Sequence, residues 1–177
     1  MMIESNGMLA DFTSLIRSAA REAFQKIRED HRGEGFCAFA LYSDEGAMTV
    51  CAAANTQSHL EARLREEPDE ALYWKWSPAE WKHEGFGDGC FVGVHKALQE
   101  FHARPHDDAQ FLAFQQGLFE SCVAAMEALR IEGALGDGIA VFCVTDHQDA
   151  AQEIAWVRRL NARDHANEFQ RWINSQQ

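Results

Sequence analysis

The chain has 177 residues, 46% of them hydrophobic and 25% charged, and its 28 acidic and 16 basic side chains give a formal net charge of −12. These are globular proportions, enough for one domain spanning residues 1–177 with a sizeable core, and they argue against disorder and against any need for disulfide or metal staples. The acidity argues against nucleic acid, whose recognition needs a clustered basic surface, and no apolar run approaches the ~20 residues of a membrane-spanning helix.

Leu9, Phe12, Leu15, Ile16, Ala19, Ala20, Ala23, Phe24 and Ile27 recur at three- and four-residue spacing, which predicts an amphipathic N-terminal helix ended by His31-Arg32-Gly33-Glu34-Gly35. Phe36–Tyr42 and Met48–Ala54 read as a β-hairpin about the turn Ser43-Asp44-Glu45-Gly46. Neither strand alternates polar with apolar, so the hairpin is expected inside a sheet covered on both faces. Ser58 with Glu61 fits a capping box for a charged helix through Leu60 and Leu64, which Pro68 stops.

Leu72-Tyr73-Trp74-Lys75-Trp76 reads as a third strand, with Trp74 and Trp76 on one face and Tyr73 on the other. Ser77-Pro78-Ala79-Glu80 then predicts a capped short helix carrying Trp81, and Gly85-Phe86-Gly87-Asp88-Gly89 a loop. Helices follow over Phe91–Phe101 and, capped by Asp107 or Asp108, through Leu129. Ile139–Val144 is a buried strand, Asp146-His147-Gln148-Asp149 a turn with capping residues, and two helices through Ile154, Val157, Leu160 and through Phe169, Trp172, Ile173 complete the chain. Strands early and late, separated by helices, predict an α+β fold: a mostly antiparallel sheet of about four strands, with an N-terminal helix and a C-terminal helical half packed on it.

The five cysteines, Cys37, Cys51, Cys90, Cys122 and Cys143, form no short pair, and most sit in apolar runs, as buried free thiols of a reducing cytoplasm would. The opening Met1-Met2-Ile3-Glu4-Ser5-Asn6-Gly7 lacks the basic and apolar regions of a secretory signal, so a cytoplasmic location is expected. No metal is expected. His95 and His102 share a helix face but stand roughly 10 Å apart along it, and His59, His83, His106 and His147 fall in separate segments. The glycine-rich stretch lacks the lysine and hydroxyl of a phosphate loop, no Gly-x-Ser-x-Gly elbow occurs, and no cofactor is implied.

The sharpest local signal is three indoles within the eight residues from Trp74 to Trp81. Tryptophans can wall a cation-binding or stacking pocket, here with Lys75, Glu80 or His83 as polar groups, or fold inward as packing pieces. The candidate ligand-binding set is therefore Trp74, Lys75, Trp76, Glu80, Trp81 and His83, with Glu84 beside it. Two functions compete. One is a non-catalytic protein-binding module, of immunity or inhibitor type, whose acidity suits a basic protein partner. The other is an enzyme or small-ligand binder with a pocket beside the tryptophans. No sequence feature sets the oligomeric state.

The hairpin Phe39-Ala40-Leu41-Tyr42 with Met48-Thr49-Val50-Cys51-Ala52-Ala53-Ala54-Asn55-Thr56, the stretch Trp76-Ser77-Pro78-Ala79-Glu80-Trp81, and Leu160-Asn161 before a helix with Phe169 and Trp172 together resemble the bacterial family known as domain of unknown function 4303. The resemblance covers nearly the whole chain and implies a compact α+β fold. It brings no activity, cofactor or catalytic residue.

Overall fold

A computed structural model describes residues 2–146 and 149–176, with side chains from Phe12 onward; His147, Gln148 and the side chain of Leu9 lie outside the described residues. Helix α1 (Met2–Asp30) leads into strands β1 (Phe36–Asp44) and β2 (Val50–Thr56). Helices α2 (Gln57–Glu66) and α3 (Ala71–Trp76) precede strand β3 (His83–Phe86), and α4 (Val92–His102) and α5 (Asp108–Ile131) lead to strand β4 (Ile139–Thr145). Helices α6 (Ala150–Leu160) and α7 (Arg163–Ser175) close the chain.

The fold is α+β, with a four-stranded sheet in the order β3-β2-β1-β4. β1 pairs antiparallel with β2 and parallel with β4, and β2 pairs antiparallel with β3. Period-two alternation sorts the side chains into two cores. Phe39, Leu41, Ala52, Phe142 and Val144 pack against α1, α4 and α5, while Ala38, Ala40, Ala53 and Val141 pack against Trp76, Trp81, Ile154, Val157 and Phe169. Helix α6 contributes Trp156 and Leu160 to the first core and Ile154 and Val157 to the second, so it wraps the β4 edge.

Four local expectations are corrected. Leu72–Trp76 lies within helix α3 instead of forming a strand, because Pro68–Glu70 winds a 3-10 turn directly into it and Leu72 and Trp76, four residues apart, both reach the second core. The helix expected after Ser77 is one 3-10 turn, Pro78–Glu80, with no side-chain cap from Ser77. Gly85 and Phe86 belong to β3, and Gly87 turns the chain at φ 76° so close to α1 that a Cβ would meet Ala23 Cβ at 2.8 Å. Thr56, not Ser58, caps α2, its hydroxyl accepting from His59 N at 3.3 Å. Of the two cap candidates for α5, Asp107 serves, in a reciprocal box with Gln110, and in the expected capping turn before α6 it is Asp149 that accepts from Gln152 N at 3.0 Å.

The expected histidine pair on α4 serves as a latch. Its Nε2–H groups donate to carbonyls at the hairpin tip, His95 to Val50 at 2.9 Å and His102 to Ala47 at 3.1 Å. Asn161, just past α6, covers the outer edge of β4. It accepts from Ala140 N at 2.8 Å and donates to Ala140 O at 2.6 Å, doing for one residue what another strand would do. Replacing Asn161 by Ala leaves both Ala140 groups unpaired and should lower stability by about 1–3 kcal/mol. Urea unfolding with an unchanged slope checks this, and Asn161→Asp, which lacks the N–H donors, should not restore the loss.

Candidate functional site

The tryptophan segment crosses the second face of the sheet, and its candidates do not converge. Trp76 and Trp81 are 2% and 4% exposed, so both are core pieces lying on the alanines of β1 and β2. Trp74 turns toward α2, with the Arg63 guanidinium 5.1 Å from its ring centre. Glu80 accepts from the Tyr73 hydroxyl at 2.7 Å, and its backbone carbonyl accepts from His59 Nε2 at 3.2 Å. The indole N–H groups of Trp74 and Trp81 are buried with no acceptor among the described residues.

Lys75 points to α7. Its ammonium lies 2.6 Å from Glu168 Oε1 and 3.4 Å from His165 Nδ1, while Trp76 Nε1 donates to the same Glu168 oxygen at 3.0 Å. Burial acts to raise the Glu168 carboxyl, but the Lys75 hydrogen bond and charge outweigh it and hold the group below its ordinary value. This cluster rims an open cleft of about 700 Å³, walled by Leu60, Leu64 and Leu72.

A second cleft, of about 340 Å³, lies at the carboxyl ends of the parallel pair β1 and β4. Tyr42, Trp76, Phe169 and Trp172 form aromatic walls, with Glu84 and Glu153 as carboxylates. The Tyr42 hydroxyl donates to Glu84, and desolvation together with that bond pushes the phenol above its ordinary value. Burial, and then the charge of Asp149, pushes the Glu153 carboxyl up to about 7. Among the described residues no lysine or arginine forms a salt bridge to Glu84 or Glu153. A carboxyl raised by desolvation inside an apolar cleft is a candidate binding or catalytic position.

His83, the last candidate, opens β3 and meets the end of α1 instead of the tryptophans. Its Nε2 lies 2.9 Å from Glu34 Oε2, His31 Nδ1 lies 3.4 Å from Glu34 Oε1, and Lys82 Nζ lies 2.7 Å from that same oxygen. The Lys82 and His83 hydrogen bonds hold the Glu34 carboxyl down at about 2. Two imidazoles and a carboxylate are a donor set suited to a metal ion.

The thiols depart in part from expectation. Cys122 is buried, whereas Cys37, Cys51, Cys90 and Cys143 are half-buried, and all five are free. Desolvation raises every one of them, Cys143 up to about 12, so none is a thiolate at neutral pH. Tyr42, Glu153, Glu168, His31 and Glu34 were not singled out by the sequence. For Glu153 a signal was present: with Val157 and Leu160 it falls on the apolar stripe of α6, at spacings of four and seven.

No helix among the described residues is long and apolar enough to cross a membrane. No curated protein matches the chain, and no solved structure matches it. The family described as Domain of unknown function (DUF4303) matches residues 16–162, from within α1 through the sheet and both carboxylates of the narrow cleft to the residue after Asn161. The chain therefore belongs to this family of unknown function.

Proposed function

We propose that the chain is a non-catalytic binding module that receives a positively charged side chain of a basic protein partner in the cleft at the carboxyl ends of β1 and β4. The observation that carries this reading is the pairing of aromatic walls with two carboxylates that lack a cationic partner among the described residues. An ammonium or guanidinium entering there meets ring faces and negative charge together, the combination that favours cations. Its charge would also offset the desolvation that keeps Glu153 protonated up to about pH 7. The net charge of −12 would speed encounter with a basic surface. A basic toxin or enzyme held in check by this chain is the partner type that fits. Five free, protonated thiols suit a reducing cytoplasm.

The cleft volume of about 340 Å³ favours a second reading, a small free amine with an apolar body. Titrating labelled protein with a lysine-rich peptide, its acetylated form and a free alkylamine separates the two. The first reading expects saturable shifts of the Trp76 and Trp172 indole signals with the unmodified peptide only, weakened about tenfold or more by Glu153→Gln. Equal binding of the acetylated peptide would sink the cationic reading. An amine as potent as the peptide would establish the second.

Glu153 also sets a pH dependence of stability. Its proton is held to about pH 7 in the folded chain but released near 4.5 in the unfolded one, so folding loses stability as pH rises from 4.5 to 7. Glu153→Gln should match the parent Tm at pH 4.5, exceed it increasingly up to pH 7, and keep a constant advantage above. Thermal melts across that range measure it.

A further inference from the structure

We propose that His31, Glu34 and His83 form a site for a divalent transition metal of the zinc class. The three donor atoms, one from each side chain, all lie within 4.8 Å of one another. An ion about 2.0–2.1 Å from tetrahedral ligands places those ligands roughly 3.3 Å apart. The carboxylate reaches both imidazoles, His31 Nδ1 at 3.4 Å through Oε1 and His83 Nε2 at 2.9 Å through Oε2, so a modest rotation of the Glu34 carboxylate and the rings brings one oxygen and both nitrogens to that spacing. Two imidazoles and one carboxylate match zinc in ligand type and leave a fourth position, and His31, 39% exposed, leaves it open to water.

The donors are held by backbone structure. His31 N bonds Ile27 O at 3.1 Å and Glu34 N bonds His31 O at 3.1 Å, which fixes the two as neighbours in the turn after α1. His83 is paired through β3 to Ala54 of β2, and its ring lies 4.4 Å from that of His31. The ammonium of Lys82 lies 2.7 Å from Glu34 Oε1, the oxygen nearest His31 Nδ1. Lys82 is a competing cation on a flexible stem, partly exposed and free to swing outward once a metal takes its place. Bound metal would join the α1–β1 connection to the edge strand β3, which is only four residues long.

The test uses the full chain, freed of metal by chelator and titrated calorimetrically with zinc chloride alone, with cobalt as a spectroscopic substitute. One equivalent should bind, raise Tm, and give tetrahedral cobalt absorption. His31→Gln and His83→Gln should each abolish that equivalent, Glu34→Gln should weaken it about tenfold or more, and His106→Gln, outside the cluster, should leave it intact. Lys82→Met should tighten binding, an effect that a cluster serving only as an ion pair would not produce. Undiminished zinc binding in a folded His31→Gln/His83→Gln double variant, or no saturable binding by the parent, would overturn the proposal.

Discussion

Strand β1 is hydrogen-bonded on both sides and covered on both faces, and that condition decides where the other elements can go. Its residues Ala38 to Leu41 are at most 2% exposed, so side chains above and below must fill space without admitting water. The two faces meet this demand differently. On one, the sheet supplies bulk through Phe39, Leu41 and Phe142, and α1 fits around it with small Ala19, Ala20 and Ala23 and large Ile16 and Phe24. On the other, the sheet supplies Ala38, Ala40 and Ala53, and the bulk arrives as indoles from the segment after α2. The tryptophans are large because the strands beneath them are small.

The parallel pairing with β4 adds a close-approach constraint. At Gly138, just before β4, a Cβ would stand 2.7 Å from the Cys37 carbonyl oxygen, so only glycine lets the two strands come together. Once paired, their carboxyl ends fall side by side at Tyr42–Asp44 and Cys143–Thr145, where the sheet stops and the aromatic walls continue. The narrow cleft is therefore a product of strand register, and carboxyl ends of parallel strands are where open sheets commonly take ligands.

Elements governed by local chemistry were legible in the sequence. The α1 stripe, a cap at Asp107 or Asp108, a capping turn before α6 and the apolar run at Ile139 all depend on neighbours within a turn or on simple burial. The misread elements depend on distant partners. Tyr73-Trp74-Lys75-Trp76 has the composition of a strand, but the place beside β2 is taken by β3, and the segment winds into α3 across the sheet's second face. Conversely, His83-Glu84-Gly85-Phe86 has little strand propensity and becomes a strand only through its pairing with Ala52–Ala54. The site residues were hidden for the same reason. Tyr42 and Glu84 are 42 positions apart, Lys75 and Glu168 are 93, and neither pairing has a local signature.

Electrostatics separates the three polar clusters by purpose. At Lys75–Glu168 and at Lys82–Glu34 a lysine sits within 2.7 Å of the carboxylate, so the isolated chain already balances each negative charge. At the narrow cleft, Glu153 is shifted up by burial with only another acid, Asp149, adding to the shift, and Glu84 is met by the neutral phenol of Tyr42. Burying a carboxyl without a counter-charge is a cost that folding alone does not require, because an apolar residue beside Val157 would extend the stripe of α6. A site that withholds the counter-charge from two carboxyls, while surrounding them with rings, is what the proposed cationic partner would complete. The Glu34 cluster differs, since a metal held with its two imidazoles would itself supply the positive charge that Lys82 gives the carboxylate in the isolated chain.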